Sequence, residues 1–227
     1  MHALVPQDCV LCGAESGAEL ICEQCQRALP YHDVPCCPQC ALPTLDGRRC
    51  GRCLAHPPAF DRTRAAFDYR YPLAELVHAF KYGSNLALGK FLADALIGAV
   101  RAETWPDLML PMPLHPARLN ERGINQAAEI ARRVAFASGT PLALDDLRKI
   151  RDAAAQVNLP WKERQANVRG AFACEMSLGG QRVVVVDDVM TTGATLGEAA
   201  KLLKRCGAAS VDVWVVARAL PDAAPST

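Results

Sequence analysis

Four Cys-x-x-Cys pairs crowd the first quarter of the chain and restrict its fold more than any other feature. Cys9 and Cys12 are followed, after nine intervening residues, by Cys22 and Cys25; Cys37 and Cys40 are followed, again after nine, by Cys50 and Cys53. All four positions recur at an offset of 28, the mark of a duplicated small unit. A two-residue spacer lets a tight turn aim both sulfurs at one metal, and two such turns supply the four thiolates of a tetrahedral zinc site. The pattern predicts two structural zinc ions, each in a closed site with no open position for chemistry. Sequential pairing places Cys9, Cys12, Cys22 and Cys25 on one ion and Cys37, Cys40, Cys50 and Cys53 on the other; an interleaved pairing fits the same spacing. An iron–sulfur cluster competes, as do redox pairs, but a redox Cys-x-x-Cys normally opens a helix after a strand. Cys36, Cys174 and Cys206 are spares.

Clustered cysteines are read differently in different compartments. Residues 1–8 show no basic stretch followed by a long apolar one, so no secretory signal is expected. The best apolar run, 91–100, is too short to span a bilayer and contains Asp94. These features predict a cytoplasmic protein without a membrane span, where such cysteines are metal ligands and not disulfides. The net charge of +1 conceals an asymmetry. Residues 1–60 carry four basic and six acidic side chains, and each four-thiolate zinc site adds about −2. An acidic metal module is thus joined to a basic remainder.

With 227 residues, the chain has room for one sizeable domain plus a small module. Residues 1–58 read as the double zinc-ribbon module and 59–227 as an α/β domain, with Ala55-His56-Pro57-Pro58-Ala59 as a stiff connector. Strands are expected at 66–70, 108–112, 171–174, 182–186 and 211–217. Helices are expected at 72–81, 86–102, 126–137, 161–167 and 193–206, and an extended stretch at 144–151. Four consecutive valines, Val183 to Val186, suit a strand covered on both faces of a parallel sheet. The order strand–helix–strand over 182–217 is a βαβ unit.

The sharpest chemistry follows those valines: Asp187-Asp188-Val189-Met190-Thr191-Thr192-Gly193-Ala194-Thr195. Two carboxylates end a buried strand, a Thr/Gly loop follows, and a helix begins. Ligands bind at the carboxyl ends of parallel strands, and a helix start offers free N–H groups to an anion. Acids this close would repel a bare phosphate, so they are expected to face the hydroxyls of a sugar whose phosphate lies in the loop. Simple N-capping by the threonines uses the same geometry. The chain lacks the GxxxxGK[ST] of P-loop proteins and the GxGxxG of dinucleotide sites.

This motif resembles the phosphoribosyl pyrophosphate (PRPP) signature of type I phosphoribosyltransferases. Together with the cysteine array it resembles the ComF/GntX family of bacterial competence and DNA-utilisation proteins. Phe80-Lys81, Pro111-Met112-Pro113 with Arg118, Arg122-Gly123 and Asn125-Gln126, and Gln156, Arg164, Asn167 and Gly170-Ala171-Phe172 fit the same pattern. The resemblance implies a parallel-sheet phosphoribosyltransferase-like domain behind the ribbons. It implies that Asp187 and Asp188 hold ribose hydroxyls, that residues 191–195 bind the 5′-phosphate, and that Mg²⁺ enters with PRPP.

A basic segment completes the picture. Arg148, Lys149, Arg151, Lys162, Arg164 and Arg169 outnumber Asp152 and Glu163, with Trp161 among them. The segment resembles the mobile loop that covers pyrophosphate, and its composition also suits a single nucleic-acid strand. Lys81, Arg118, Arg122, Lys149, Arg151 and Arg164 are candidate contacts for pyrophosphate or DNA phosphate. Three functions are compatible: a PRPP-binding protein that handles single-stranded DNA, alone or with competence and DNA-processing proteins; a phosphoribosyltransferase with an unknown acceptor; and a PRPP-sensing adaptor.

Overall fold

The computed structural model describes residues 7–83, 86–101, 103–151 and 168–221. Its centre is a parallel sheet of β3 (Arg62–Asp68), β8 (Ser210–Arg218), β7 (Arg182–Met190) and β4 (Leu108–Pro111), in that order. The valine run explains the placement of β7. Val184 and Val186 face one layer, Val183 and Val185 the other, and all four are buried. Burying each contributes about 1.5–3 kcal/mol, so the strand has no face to give to water.

On the first face lie α3 (Leu73–Tyr82), α4 (Leu86–Val100) and α6 (Gln126–Ser138). Leu88, Leu92, Leu96 and Val100 of α4 and Ile130, Ala131 and Val134 of α6 repeat at helical spacing and fill that layer. Gly89 lets α3 and α4 approach closely: a Cβ there would meet the Phe80 ring at 2.9 Å. On the second face lies α7 (Ala194–Arg205), with Leu196, Ala199, Ala200 and Leu203 turned inward. Gly207, at φ 96°, ends it in the left-handed conformation. A short antiparallel pair, β5 (Leu147–Lys149) and β6 (Phe172–Cys174), flanks α7.

The zinc-ribbon segment is built onto the open edge of the sheet. Its backbone at Tyr31 bridges antiparallel to Phe67 of β3. His32 N–H donates to the Ala66 carbonyl at 2.9 Å, and Asp68 N–H to that of Pro30 at 2.8 Å. The segment thereby covers an edge strand. The His32 ring bonds Asp68 Oδ1 through Nδ1 at 2.7 Å. The first ribbon, with β1 (Gln7–Asp8), β2 (Glu15–Gly17) and α1 (Glu23–Arg27), adds Cys9, Ile21 and Leu29 to the core of the first face. The second, with α2 (Gly51–Ala55), adds Cys37, Cys40 and Cys53 to that of the second. The ribbons thus straddle the sheet edge.

Most expected elements are present with shifted ends. The strand expected at 66–70 begins earlier, at Arg62, because β8 offers partners from Asp212 onward. The strand expected to stop at Val186 runs to Met190, paired through Arg218. The stretch 116–122, where the sequence predicts no element, is a helix, α5 (Pro116–Arg122). The helix expected at 161–167 lies outside the described residues.

Candidate phosphate site and metal centres

The extension of β7 determines where the two carboxylates sit. Asp187 and Asp188 lie within the strand, three and two residues before its end, on a partly covered stretch. Asp187 Oδ1 accepts the N–H of Asp188 at 2.9 Å, and Asp188 Oδ1 that of Val189 at 2.6 Å. Lys81, at the last turn of α3, brings Nζ to 3.0 Å from Asp188 Oδ2. Burial opposes the charge on Lys81, but the Asp188 carboxylate outweighs it and holds the ammonium above its ordinary value. Burial and then the Asp188 charge push Asp187 up to about 8. One carboxylate is therefore neutralised by a cation, and the other holds a proton at neutral pH.

The loop after β7 turns at Gly193, whose φ of 77° is left-handed. An added side chain is strained there: besides the left-handed φ, a Cβ would lie 2.6 Å from Met190 Cε, which must shift, and 3.4 Å from Phe60 Cζ. Thr192 Oγ1 accepts the Ala194 N–H at 3.3 Å, but the N-cap itself is Gly193 and no threonine side chain occupies it. Thr191 is exposed, and Thr192, Ala194 and Thr195 are partly so. The loop can therefore offer amides and hydroxyls to an anion. Replacing Gly193 by Ala should weaken anion binding at this loop about tenfold, the effect of roughly 1–2 kcal/mol of backbone strain. Titration of PRPP into both proteins checks this.

The remaining expected contacts divide. Arg122 stacks over the Tyr82 ring at 5.6 Å and donates to Gln126 Oε1 at 3.4 Å, while Gln126 Nε2 donates to the Lys81 carbonyl. Arg122 is thus on the Lys81 side of the molecule. Arg118 pairs with Glu121 at 3.0 Å on exposed α5. Lys149 stands on β5, beside a hollow of about 370 Å³ under α5, and Arg151 follows as an exposed residue. Arg164, with Gln156, Trp161, Lys162 and Asn167, lies outside the described residues. His115 accepts the Ala117 N–H at 3.4 Å and caps α5. A separate cavity of about 590 Å³ lies between the second ribbon and α7, lined by Arg52, His56, Phe60, Arg169, Thr192 and Lys201 among others. Its lining includes the loop residues Thr192, Gly193 and Ala194 but neither Asp187 nor Asp188.

The sulfurs settle the pairing left open by the spacing. Those of Cys9, Cys12, Cys22 and Cys25 lie within 4.8 Å of one another, as do those of Cys37, Cys40, Cys50 and Cys53. The arrangement is sequential. Sγ separations of 3.7 Å for Cys12–Cys22 and 3.6 Å for Cys40–Cys50 are close to the edge of a tetrahedron with metal–sulfur bonds of about 2.3 Å. Burial opposes ionisation of Cys9, but backbone N–H groups of Cys22, Cys12 and Leu11 hold its thiol at about 6. In the same way, the amides of Cys50, Cys40 and Gln39 hold Cys37 at about 7. Cys25 is pushed up to about 12, first by Cys12, and Cys53 is raised by burial and by Cys40. Each cluster stabilises one thiolate and resists the last, a conflict that a divalent cation relieves. The donor sets fit zinc, with Cys36 outside both.

Residues 1–54 match the double zinc ribbon domain family, and residues 119–226 match the phosphoribosyl transferase domain family. Over 207 residues, covering 88% of this chain and 91% of the relative, the sequence is 37% identical to the DNA utilization protein YhgH of Salmonella typhimurium. The chain belongs to the ComF/GntX family. Competence protein F of Haemophilus influenzae is 31% identical over 209 residues, with 88% of this chain and 90% of the relative covered. Competence protein ComFC of Bacillus subtilis is 27% identical over 211 residues, with 88% and 85% covered. The sheet and helices are those of a type I phosphoribosyltransferase fold, and the two four-cysteine sites are those of a double zinc ribbon. None of the helices among the described residues is long and apolar enough to cross a membrane.

One residue of this ComF/GntX protein escaped the sequence reading. Arg218, the last residue of β8, is 1% exposed. Its Nε donates to the Cys40 carbonyl at 2.7 Å, and its Nη1 to the carbonyls of Met190 at 3.0 Å, Thr191 and Ala219. The signal was available: a cation directly after Trp214-Val215-Val216-Ala217 stands where a buried strand has no need of one.

Proposed function

We propose that this protein binds PRPP at residues 187–195 and uses that site in handling single-stranded DNA. The observation that carries the PRPP reading is the pairing of Asp187 and Asp188 with the Gly193 loop on one strand end. In this reading Asp187 and Asp188 accept hydrogen bonds from the ribose hydroxyls, and the amides and hydroxyls of residues 189–195 take the 5′-phosphate. Mg²⁺ would enter with PRPP and offset the charge of its pyrophosphate. Lys81 neutralises Asp188 before the ligand arrives, then lies within reach of pyrophosphate together with Arg122. Arg118, Lys149, Arg151 and Arg164 are further contacts for pyrophosphate or DNA phosphate.

Two facts support the DNA part. Relatives of comparable length bear the names DNA utilization protein and competence protein. Arg52, Arg169 and Lys201 also line the cavity beside the loop, where a polyanion would meet cations from the second ribbon and from α7. A fluorescent single strand titrated at rising salt should lose affinity log-linearly, with a slope near −0.7 for each phosphate contact. Arg169→Ala with Lys201→Ala should flatten that slope by about one to two contacts. Binding that ignores salt, or none at all, counts against this part.

The match of residues 119–226 to the phosphoribosyl transferase domain supports a second reading, in which PRPP is turned over. Pyrophosphate release that depends on an acceptor and disappears in Asp187→Asn distinguishes transfer from binding alone.

A further inference from the structure

Arg218 presents a problem of charge as well as of hydrogen bonding. It is fully enclosed, yet its guanidinium partners among the described residues are all neutral carbonyls. Carbonyls take the hydrogens of Nε and Nη1 but leave the charge uncompensated in a low-dielectric interior. The anionic group on hand is the second ribbon. Arg218 donates to the carbonyl of Cys40, one of the four sulfur donors. With zinc, that cluster carries about −2 and becomes the counter-charge that the guanidinium lacks.

The other side of the same guanidinium holds the carbonyls of Met190 and Thr191, the last residue of β7 and the first of the phosphate loop. A second path runs in parallel. The Thr63 N–H donates to the Pro38 carbonyl at 3.0 Å, and Thr63 Oγ1 to that of Gln39 at 2.7 Å. Gln39 Nε2 donates to the Phe60 carbonyl at 3.1 Å, and the Phe60 ring closes on Gly193. The knuckle Cys37-Pro38-Gln39-Cys40 and the loop 190–193 are therefore fixed to the same buried groups. The first ribbon packs into the core of the opposite face and shares none of these bonds.

We propose that Arg218 is a positioning residue that ties the metal state of the second ribbon to the shape of the phosphate loop. Zinc on Cys37, Cys40, Cys50 and Cys53 and PRPP at the loop then each tighten the other's hold. The PRPP half rests on the reading of residues 187–195 given above. Because such coupling is reciprocal, it can be read from either end.

The zinc-loaded protein is challenged with a zinc-selective chelator and an alkylating reagent, and labelling of each cysteine peptide is followed by mass spectrometry with and without Mg²⁺-PRPP. PRPP is expected to slow labelling of Cys37, Cys40, Cys50 and Cys53 about fivefold or more and to leave Cys9, Cys12, Cys22 and Cys25 within about twofold. In Arg218→Lys, which keeps the charge but loses the fork that spans both elements, the effect on the second set should fall to less than about twofold. A second arm needs no ligand. Hydrogen exchange at 190–193 should accelerate about tenfold or more when zinc leaves the second ribbon, the scale of one lost loop contact network. PRPP that binds by calorimetry without changing labelling at the second ribbon overturns the reciprocal coupling. Unchanged exchange at 190–193 overturns the structural link itself. Absence of PRPP binding overturns the ligand half together with the reading of the loop, and the exchange arm then decides the link alone. Should Arg218→Lys fail to fold, the two wild-type arms decide.

Discussion

Replacing Asp187 by Asn should lower PRPP affinity at least about 30-fold, from the loss of a charge-assisted hydrogen bond of roughly 2–3 kcal/mol, while making the free protein more stable at high pH. The second effect follows from the site itself. The Asp187 carboxyl is held at about 8 by burial and by Asp188, against an ordinary value near 4. Between those values the folded chain keeps a proton that the unfolded chain has lost. Wild-type stability therefore falls as pH rises from about 4 to 8 and is flat above, where the full cost of the buried charge is present. Asn carries no such cost. Thermal unfolding should show the largest gain for Asp187→Asn near pH 9 and almost none near pH 4.5. A variant that loses PRPP and gains nothing at pH 9 would mean that Asp187 is not held in the strained state described here. The same titration shapes the wild-type ligand response: below pH 8, PRPP binding should release a proton, seen as a calorimetric heat that varies with the ionisation enthalpy of the buffer.

Stripping both zinc ions should unfold more than the N-terminal module. Cys9, Cys37, Cys40 and Cys53 are buried in the same clusters as Phe67, Val184, Phe60 and Val215, and Pro30 to His32 cover β3. The ribbons thus cap the sheet edge, and their loss uncovers apolar groups on both faces along with the β3 backbone. Structural zinc contributes folding free energy directly. Chelation should lower the melting temperature by on the order of 10–20 °C, since each kcal/mol moves a chain of this size by about 2–4 °C. Circular dichroism and scanning calorimetry on the metal-free protein check this. A melting temperature unchanged within about 2 °C would show that the ribbons are appended to the domain and not part of its core.

Much of this arrangement was legible in the chain, and the exceptions have physical causes. The valine run gave β7 because a strand covered on both faces leaves no amphipathic signature except continuous apolarity. Its true end was hidden, because Asp187 to Met190 take strand geometry from the partner residues Val215 to Arg218 and not from their own composition. The helix α5 was missed although His115, Pro116 and Gly123 mark both its ends: seven residues with few apolar groups offer no periodicity. The spacing called for four-thiolate sites but left sequential and interleaved pairing open; only the folded knuckles separate them. Lys81 was expected to meet pyrophosphate or DNA phosphate, but its pairing with Asp188 had no sequence signal, since it stands 107 positions before Asp188 in the chain. Arg218 shows the opposite failure: its buried charge was visible in the sequence, but its partners are backbone carbonyls of the loop and of the second ribbon, which carry no sequence signature.

The most direct test of the central claim is isothermal titration of Mg²⁺-PRPP into the zinc-loaded protein. Saturable binding at one site per chain, weakened in Asp187→Asn and in Gly193→Ala, is the expected result. No saturable heat at millimolar PRPP, or binding that both substitutions leave unchanged, would contradict it.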